Sequence, residues 1–302
     1  MTSTPTISVV LSVYNGEAFV ADAIESIRRQ TFPDFEMIVV DDGSNDGTAA
    51  ILDLFQVADP RIHVLTLPRV GLGRATNTGL AAAKGKYIAR LDADDLAKPK
   101  RLEIQLAYLQ EHPEVGLLGT SYNILRKGHL EESPRPVLLE DAQLRRGLVR
   151  SNQFLHSSLM IPRRVFDAVG VYNEKLPIML DFDLIIRITR KFQVANLAEP
   201  LAIKRVHDQA YFQSRSHTWP KFASKVRLRW RAWRAFSRRV TDLRFVLIKP
   251  VIWYLTVHVK RPVRWTYRRC LSWSPRTARS LRTALVGAKS RRWPRSTPPR
   301  PR

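Results

Sequence analysis

The sequence predicts an α/β fold with an open, doubly wound, mostly parallel sheet, followed by a basic helical extension. Near-continuous apolar runs alternate with amphipathic stretches, a pattern typical of buried parallel strands joined by helices. Polar side chains follow the ends of these runs, at the edge where doubly wound sheets bind ligands. With 302 residues, 44% of them apolar, the chain can bury the core of one large domain.

Five apolar runs are predicted strands: Ile7 to Val13, Met37 to Val40, Ile62 to Leu67, Tyr87 to Leu91 and Val115 to Leu118. The stretches between them are predicted helices: Phe19 to Arg29, Thr48 to Phe55, Arg74 to Ala83 and Arg101 to Glu111. Because strand and helix alternate, right-handed crossovers between parallel strands are expected.

The pattern loosens in the following part of the chain, which we expect to cover the sheet and to close a pocket. Helices are predicted at Asp141 to Val149, Arg163 to Val169 and Phe182 to Lys191. Strands are predicted at Ser158 to Ile161, Gln193 to Leu197 and Leu201 to Val206. The segment from Glu131 to Pro136, with two acids and two prolines, is a predicted loop.

Three carboxylates directly follow the strand that ends at Leu91. Asp92, Asp94 and Asp95 lie within four residues, and such crowding is typical of hard oxygen ligands for a divalent cation that bridges to phosphate. A helix start before Pro99 would explain Asp95 alone, since acids favour the first turn of a helix.

Two further loops carry weaker signals. Asp41 and Asp42, before Gly43, form either a turn that caps the next helix or a set of acceptors for a base or ribose. The segment from Gly71 to Arg74 opens a helix that carries Asn77. Its glycines indicate either free amides for a phosphate or close helix packing.

The second half supplies three more polar candidates. Asp183 is most simply a helix cap, whereas Asp181 could serve as a general base that reaches the pocket from another wall. His207 is either a solvated loop histidine or, with acids nearby, a metal ligand.

Taken together, these residues resemble the family 2 glycosyltransferases of GT-A fold, inverting enzymes with a Rossmann-like sheet, over roughly residues 5 to 215. The resemblance implies a nucleotide loop at Ser12, Tyr14, Asn15 and Glu17, a base and ribose turn at Asp41 and Asp42, and a helix beside the diphosphate that carries Asn77. Asp92, Ala93 and Asp94 resemble the D-x-D element of the family.

The same resemblance implies that Asp94 binds Mg or Mn with His207 completing the shell, and that Asp181 is the catalytic base. The segment from His156 to Arg164 resembles the border of the acceptor pocket. Two departures are Leu180, where the family commonly has Glu, and Thr76, where many members have Arg; whether Arg74 replaces that Arg stays open.

The implied function is a metal-dependent inverting transfer of a sugar from a nucleotide diphosphate donor, with UDP expected. The acceptor would be a hydroxyl in cell-surface polysaccharide or glycolipid synthesis. Alternatives are a nucleotidyltransferase or a non-catalytic protein that binds nucleotide-sugar or nucleic acid.

The formal charge of +23 lies entirely in the carboxyl-terminal part. Residues 216–302 contain 24 Lys and Arg against the single Asp242, whereas residues 1–215 contain 26 of each sign. All seven tryptophans also lie in the basic part. We therefore expect a transferase domain over 1–215, a Trp-rich amphipathic helical segment over 216–274 and a disordered tail over 275–302.

The basic helix is predicted to bind an anionic membrane surface. The alternative is that it packs on the catalytic domain, and nucleic acid is a less favoured partner. Its apolar residues recur every three or four positions: Phe222, Val226, Trp230, Trp233, Phe236 and Val240. The apolar stretch from Leu243 to Val259 is interrupted by Lys249 and Pro250, so it is expected to lie in the interface rather than to span it. The single cysteine and an amino terminus without a secretory pattern predict a cytoplasmic protein at the inner membrane face.

Overall fold

The computed structural model describes residues 4–133, 137–207, 219–248 and 251. The chain divides into two units, Met1–Pro250 and Val251–Arg302, and of the second only Val251 is described. The predicted disorder over 275–302, and the predicted interfacial stretch from residue 252 onwards, therefore lie outside the described residues.

Strands and helices alternate through the first half of the fold. They are β1 (Ile7–Val13), α1 (Val20–Arg28), β2 (Phe35–Asp41), α2 (Thr48–Ala58), β3 (Ile62–Thr66), α3 (Leu72–Ala82), β4 (Tyr87–Arg90), β5 (Leu96–Ala97) and α4 (Arg101–Glu111). The second half contains β6 (Val115–Arg126), β7 (His129–Glu132), α5 (Asp141–Leu148), β8 (Met160–Pro162), α6 (Arg163–Val169), α7 (Leu180–Thr189), β9 (Gln193–Val206) and α8 (Trp219–Phe236).

The described strands form one sheet in the order β3-β2-β1-β4-β8-β6-β9-β5, with β7 added to β6. Strands β3, β2, β1 and β4 are all parallel, and every residue of β1 and β2 is buried. Most of the paired residues lie in parallel ladders, and the longest of these joins β6 to β9. The predicted doubly wound, mostly parallel sheet is confirmed.

Side chains alternate between two apolar layers, as the pleat of a strand requires. Val9 and Leu11 face the layer that contains α1, whereas Val10 faces the layer that contains α3 and α7. Gly79 allows α3 to approach the sheet, because a Cβ there would lie 2.7 Å from Val10 Cγ1. Close helix packing, one of the two explanations offered for the segment from Gly71 to Arg74, holds at Gly73, where a Cβ would lie 3.2 Å from the Cα of Glu174.

The second half departs from the prediction in its antiparallel strands. Strand β8 runs antiparallel between β4 and β6, and β5 runs antiparallel to β9. The two strands predicted at Gln193 to Leu197 and Leu201 to Val206 are one strand, β9, whose register against β6 shifts around Ser121. The loop predicted from Glu131 to Pro136 is wrong at its start, because residues 131 and 132 belong to the exposed strand β7.

Helix α8 confirms the helix predicted in the basic segment and packs against α5 and α7. Its buried residues are Ser224, Leu228 and Ala232, so the aromatic stripe predicted from the sequence, apart from Phe236, is not the face that packs. Among the described residues, no helix is both long and apolar enough to cross a bilayer.

Candidate active site

The loops after β1 and β2 are tied together at the carboxyl edge of the sheet. Asn15 accepts the Asn45 N–H at 2.9 Å, and Glu17 accepts the Gly47 N–H at 2.7 Å. Asn15 adopts a left-handed backbone with φ of 50°, a conformation that asparagine tolerates better than most residues. These predicted nucleotide-loop residues thus fix the shape of the edge.

Asp41 and Asp42 are both buried and both accept backbone hydrogen bonds. Asp41 accepts the N–H and the hydroxyl of Ser44 at 3.0 and 2.6 Å, which confirms a turn here; the predicted capping of the next helix is wrong, because no side chain of this turn caps α2. Asp42 accepts the N–H groups of Val70 and Gly71 at 2.7 and 3.1 Å. The Gly71 amide, expected to be free for phosphate, is therefore occupied by a carboxylate.

Arg69 was missed by the sequence analysis, although it forms part of this edge. Its guanidinium pairs with Asp42 and lies 3.4 Å from the centre of the Tyr14 ring. Tyr14 is 42% exposed, so part of this residue remains accessible beside a cation. An exposed aromatic ring next to a guanidinium suits a base and a phosphate group.

Ser12 contacts helix α3 from the end of β1, whereas Asn77 is a residue of α3. The Ser12 hydroxyl is 3.1 Å from that of Thr76, so the position where the family commonly has Arg contacts the strand through a hydroxyl. Asn77 donates to the Tyr172 carbonyl at 2.9 Å and to Glu174 at 2.8 Å, and it accepts the Tyr172 N–H. The side-chain amide of Asn77 thus holds the loop after α6.

Asp92 lies in a partly buried polar network just after β4. Its Oδ1 is 2.9 Å from His156 Nδ1, and His156 Nε2 is 2.8 Å from the Tyr172 hydroxyl. Burial by itself would raise the pKa of Asp92, but His156 and Arg90 hold it well below its usual range. Burial would lower the pKa of His156, yet Tyr172 and the Asp92 carboxylate raise it above its ordinary value.

Asp94 and His207 are brought together from distant parts of the chain. Asp94 Oδ2 lies 2.9 Å from His207 Nε2, and the imidazole packs on the Phe19 ring at 4.3 Å between centroids. His207 Nδ1 is buried with no hydrogen-bond partner in the part of the chain that the structure describes. A solvated loop histidine is thereby excluded.

This pair fits Mg²⁺ or Mn²⁺ that is held partly by a substrate. The described residues contain no cluster of three or more His, Cys, Asp or Glu side chains that could hold an ion alone. Mg²⁺ sites typically use one or two carboxylates, with phosphates and water completing the shell. A carboxylate and an imidazole nitrogen that face each other across 2.9 Å meet that requirement.

Asp95 bonds within the fold, and the alternative that placed it at a helix start is wrong. The helix begins at Arg101, and no side chain caps it. Asp95 instead accepts the Ser157 hydroxyl and, at 2.9 Å, the Arg205 N–H. Burial and the neighbouring carboxylates of Asp94 and Asp92 raise the pKa of Asp95 to about 7.

Asp181 reaches the same region from the first turn of α7. Asn152 donates to Asp181 Oδ2 at 2.7 Å, and Asn152 is oriented because its own oxygen accepts the Phe154 N–H. Burial raises the pKa of Asp181, while the nearby charge of His156 lowers it in part. The charge of Asp92, in contrast, acts with burial to raise the pKa of Asp181.

Two expectations for neighbouring residues are wrong. Asp183 is not a helix cap, because it pairs with Arg187 at 2.9 Å and with Arg231 of α8 at 3.1 Å. Arg163 and Arg164 do not border this site. They donate to carbonyls that precede or begin β4 and β6, at the opposite edge of the sheet.

A family model described as glycosyl transferase family 2 matches residues 8–169, which is more than half of the chain. The chain belongs to glycosyl transferase family 2. The matched range contains Asp42, Asp92 and Asp94, whereas Asp181 and His207 lie beyond it.

Curated relatives of this family 2 protein are also glycosyltransferases. An uncharacterized glycosyltransferase of Methanocaldococcus jannaschii, MJ1057, is 32% identical over 216 residues, covering 70% of this chain and 74% of the relative. The putative glycosyltransferase EpsE of Bacillus subtilis is 31% identical over 230 residues, covering 72% of this chain and 79% of the relative. The protein is therefore a transferase enzyme, as predicted.

Solved structures share the fold. S. aureus TarS 1-349 in complex with UDP-GlcNAc superposes with a TM-score of 0.66 at 18% identity, covering 93% of this chain and 80% of that one. The mannosyltransferase PcManGT from Pyrobaculum calidifontis, in complex with GDP-Man and Mn²⁺, gives 0.58 at 18% identity, covering 95% and 81%. The GT-A fold is confirmed.

Proposed function

We propose that this family 2 enzyme is a metal-dependent inverting glycosyltransferase that uses a UDP-sugar. The observation that carries the proposal is the Asp94–His207 contact of 2.9 Å, two residues after Asp92 at the carboxyl end of β4. A carboxylate and an imidazole at this edge suit a cation that is shared with a diphosphate. The ligands of the two solved structures, UDP-GlcNAc in one and GDP-Man with Mn²⁺ in the other, support this donor class and metal.

The donor would lie across the loops that follow β1, β2 and β4. We assign the nucleoside to the surface around Tyr14 and Arg69, because an accessible aromatic residue beside a cation suits a base near its phosphates. The other assigned contacts are Ser12, Asn15, Glu17, Asp41, Asp42, Asn77, Asp92 and Asp94. Several of these act by shaping the edge, since their side chains bond to backbone groups of the loops.

Asp94 and His207 would hold Mg²⁺ or Mn²⁺. When bound, the ion supplies positive charge that stabilises the departing nucleoside diphosphate. For this role the Nε2 lone pair of His207 must face the site, which places the proton of the neutral ring on Nδ1.

Asp181 is the proposed general base. The acceptor hydroxyl oxygen forms a bond to the anomeric carbon while the bond from that carbon to the diphosphate oxygen breaks. Asp181 takes the hydroxyl proton, and the electron pair of the broken bond leaves with the nucleoside diphosphate. Its raised pKa makes the carboxylate a stronger base than an exposed aspartate, and Asn152 leaves Oδ1 available for the proton.

We further propose that the acceptor is a hydroxyl of a cell-surface polysaccharide or glycolipid under synthesis. The enzyme would act in the cytoplasm, associated peripherally with the inner face of the membrane. The basic charge of the carboxyl-terminal part supports this place of action, because anionic lipids of that leaflet attract clustered Lys and Arg.

The test is a screen of sugar nucleotides with added Mn²⁺ or Mg²⁺. We expect one UDP-sugar to raise the unfolding temperature of the protein only when metal is present, and to be hydrolysed slowly to UDP. Asp94→Asn should lose the metal-dependent stabilisation. Asp53→Asn, at an exposed position of α2, is the matched control. Release of pyrophosphate would instead identify a nucleotidyltransferase and contradict the proposal.

A further inference from the structure

Helix α8 packs on the rest of the protein through small and branched side chains. Leu228 and Ala232 are fully buried, and Ser224 is nearly so. Residues four positions apart lie above one another on a helix, so these three mark the face that contacts α5 and α7.

Two polar contacts fix this orientation of α8. Arg231 pairs with the buried carboxylate of Asp183 at 3.1 Å, and Arg229 donates to the Arg150 carbonyl at 2.8 Å. Rotation of the helix about its axis would break both contacts and expose Leu228. The opposite face of α8 is therefore held away from the domain.

That opposite face carries the aromatic residues. Val226 and Trp230 are each two positions from Leu228, which places them about 160° around the helix from it at 3.6 residues per turn. Trp219 is 67% exposed and Trp230 is 42% exposed. We call the aromatic face the surface formed by Trp219, Phe222, Val226, Trp230 and Trp233. The ring centroids of Trp219 and Phe222 lie 5.3 Å apart, and those of Trp230 and Trp233 lie 5.0 Å apart.

Positive charge borders the aromatic face, and no acid interrupts it. Helix α8 contains six Lys and Arg residues and no Asp or Glu. Arg227 and Arg234 are exposed and lie about 60° and about 40° around the helix from Trp230, so both flank the Trp230 edge of the aromatic face. This surface is complementary to an anionic partner that also accepts apolar rings.

We propose that the aromatic face, with Arg227 and Arg234, docks into the headgroup layer of an anionic phospholipid bilayer. Tryptophan favours the boundary between acyl chains and headgroups, where its ring is partly apolar and its N–H remains hydrated. Each nearby arginine gains attraction to anionic lipid. This inference rests on the membrane partner proposed above and names the surface of the protein that binds the membrane. The inference does not depend on whether Asp181 is the catalytic base.

The experiment measures binding of the full chain to vesicles made of equal parts phosphatidylglycerol and phosphatidylcholine, and to vesicles of phosphatidylcholine alone. Sedimentation with the vesicles gives the affinity. Because all seven tryptophans lie at or beyond residue 219, a blue shift of intrinsic tryptophan emission reports only on this part of the chain. Binding should weaken as salt rises, since surface charge is screened.

Two double variants test the surface. Arg227→Gln with Arg234→Gln should weaken binding to the anionic vesicles by ~30-fold, and Trp219→Ala with Trp230→Ala by on the order of tenfold. Matched controls are Leu54→Ala with Val57→Ala, which are 72% and 89% exposed on α2, and Lys100→Gln with Lys127→Gln, which are exposed elsewhere. Both controls should bind as the wild type does.

Wild-type affinity in either α8 variant, or equal affinity for the two kinds of vesicle, would overturn the proposal. A duplex DNA oligonucleotide is the comparison ligand. Binding to DNA that requires the arginine pair, without binding to vesicles, would replace the membrane with a nucleic acid. Stabilisation by a UDP-sugar, measured in the same variants, separates failure of this inference from failure of the proposed function.

Discussion

Asn152 donates a 2.7 Å hydrogen bond to Oδ2 of Asp181, and the two residues are 29 positions apart in the chain. The orientation of the Asn152 amide is fixed, because its oxygen accepts the Phe154 N–H at 3.1 Å. One oxygen of the partly buried Asp181 carboxylate is thus occupied by a neutral donor. Asn152 is a positioning residue for the proposed base, since it holds the carboxylate in one orientation.

The first prediction concerns Asn152→Ala. Loss of a donor to the ionised carboxylate should raise the pKa of Asp181 further, because burial already disfavours its charge. A hydrogen bond to a charged group contributes about 1.5–3 kcal/mol. We therefore expect kcat to fall by about tenfold or more when this bond is lost. The acid limb of the kcat profile should move to higher pH, while KM for the donor stays unchanged.

The neighbouring Gln153→Ala is its matched control. Gln153 donates to the carbonyls of Gly147 and Ser151 at 3.0 and 2.8 Å, so its loss loosens the same segment without removing a donor to Asp181. A pH profile that moves equally in both variants would show that Asn152 acts only through the loop.

The second prediction concerns the base itself. Asp181→Asn keeps the size of the side chain but cannot accept a proton, so turnover should fall by roughly 10² to 10⁴. Stabilisation of the protein by the donor and metal should remain near that of the wild type. Near-normal turnover in this variant would assign the proton to another group, and Asp183→Asn would then be the variant to measure.

The wild-type profile gives the sign of the pH dependence. Because burial raises the pKa of Asp181 above 3.8, activity should fall as the pH drops through a value higher than that of an exposed aspartate. Above that pH the carboxylate is ionised and competent.

The sequence predicted which carboxylates lie at the carboxyl edge of the sheet, but not the side chains that contact those carboxylates. Parallel strands end at one edge, so the gathering of Asp42, Asp92 and Asp94 follows from the alternation of strands and helices alone. Asn152 and Arg69 could not be found in this way, because each acts on a carboxylate 27 or more residues away and neither belongs to a periodic pattern.

The carboxyl-terminal helix shows a second limit of sequence patterns. Helical spacing identified α8 and its aromatic stripe, and the usual inference is that an apolar stripe faces the core. The buried positions include Ser224 and Ala232 instead, since small side chains let α8 approach α5 and α7. Strand β5 was missed for a different reason: two residues are too few for a period.

The third prediction concerns the pair Asp94 and His207. His207→Ala should weaken binding of Mn²⁺ in the presence of UDP by about tenfold to a hundredfold, which titration calorimetry can measure. UDP binding without metal should be little changed. His63→Ala removes a half-exposed histidine of β3 and is the control. Equal metal affinity in His207→Ala would remove His207 from the proposed shell.

The fourth prediction concerns acid stability through Asp59, outside the site. Hydrogen bonds from Arg61 outweigh burial and hold the pKa of Asp59 at about 2, below its ordinary 3.8. A carboxyl whose pKa is lower in the folded state contributes stability above the unfolded pKa and loses it as the pH falls through the folded pKa. Asp59→Asn should therefore lower the unfolding temperature at pH 5, and its difference from the wild type should shrink between about pH 4 and pH 2. Asp53→Asn, at an exposed position, is the control. If the difference in unfolding temperature between Asp59→Asn and the wild type persisted unchanged at pH 2, the packing of Asp59, rather than its charge, would stabilise this part of the fold.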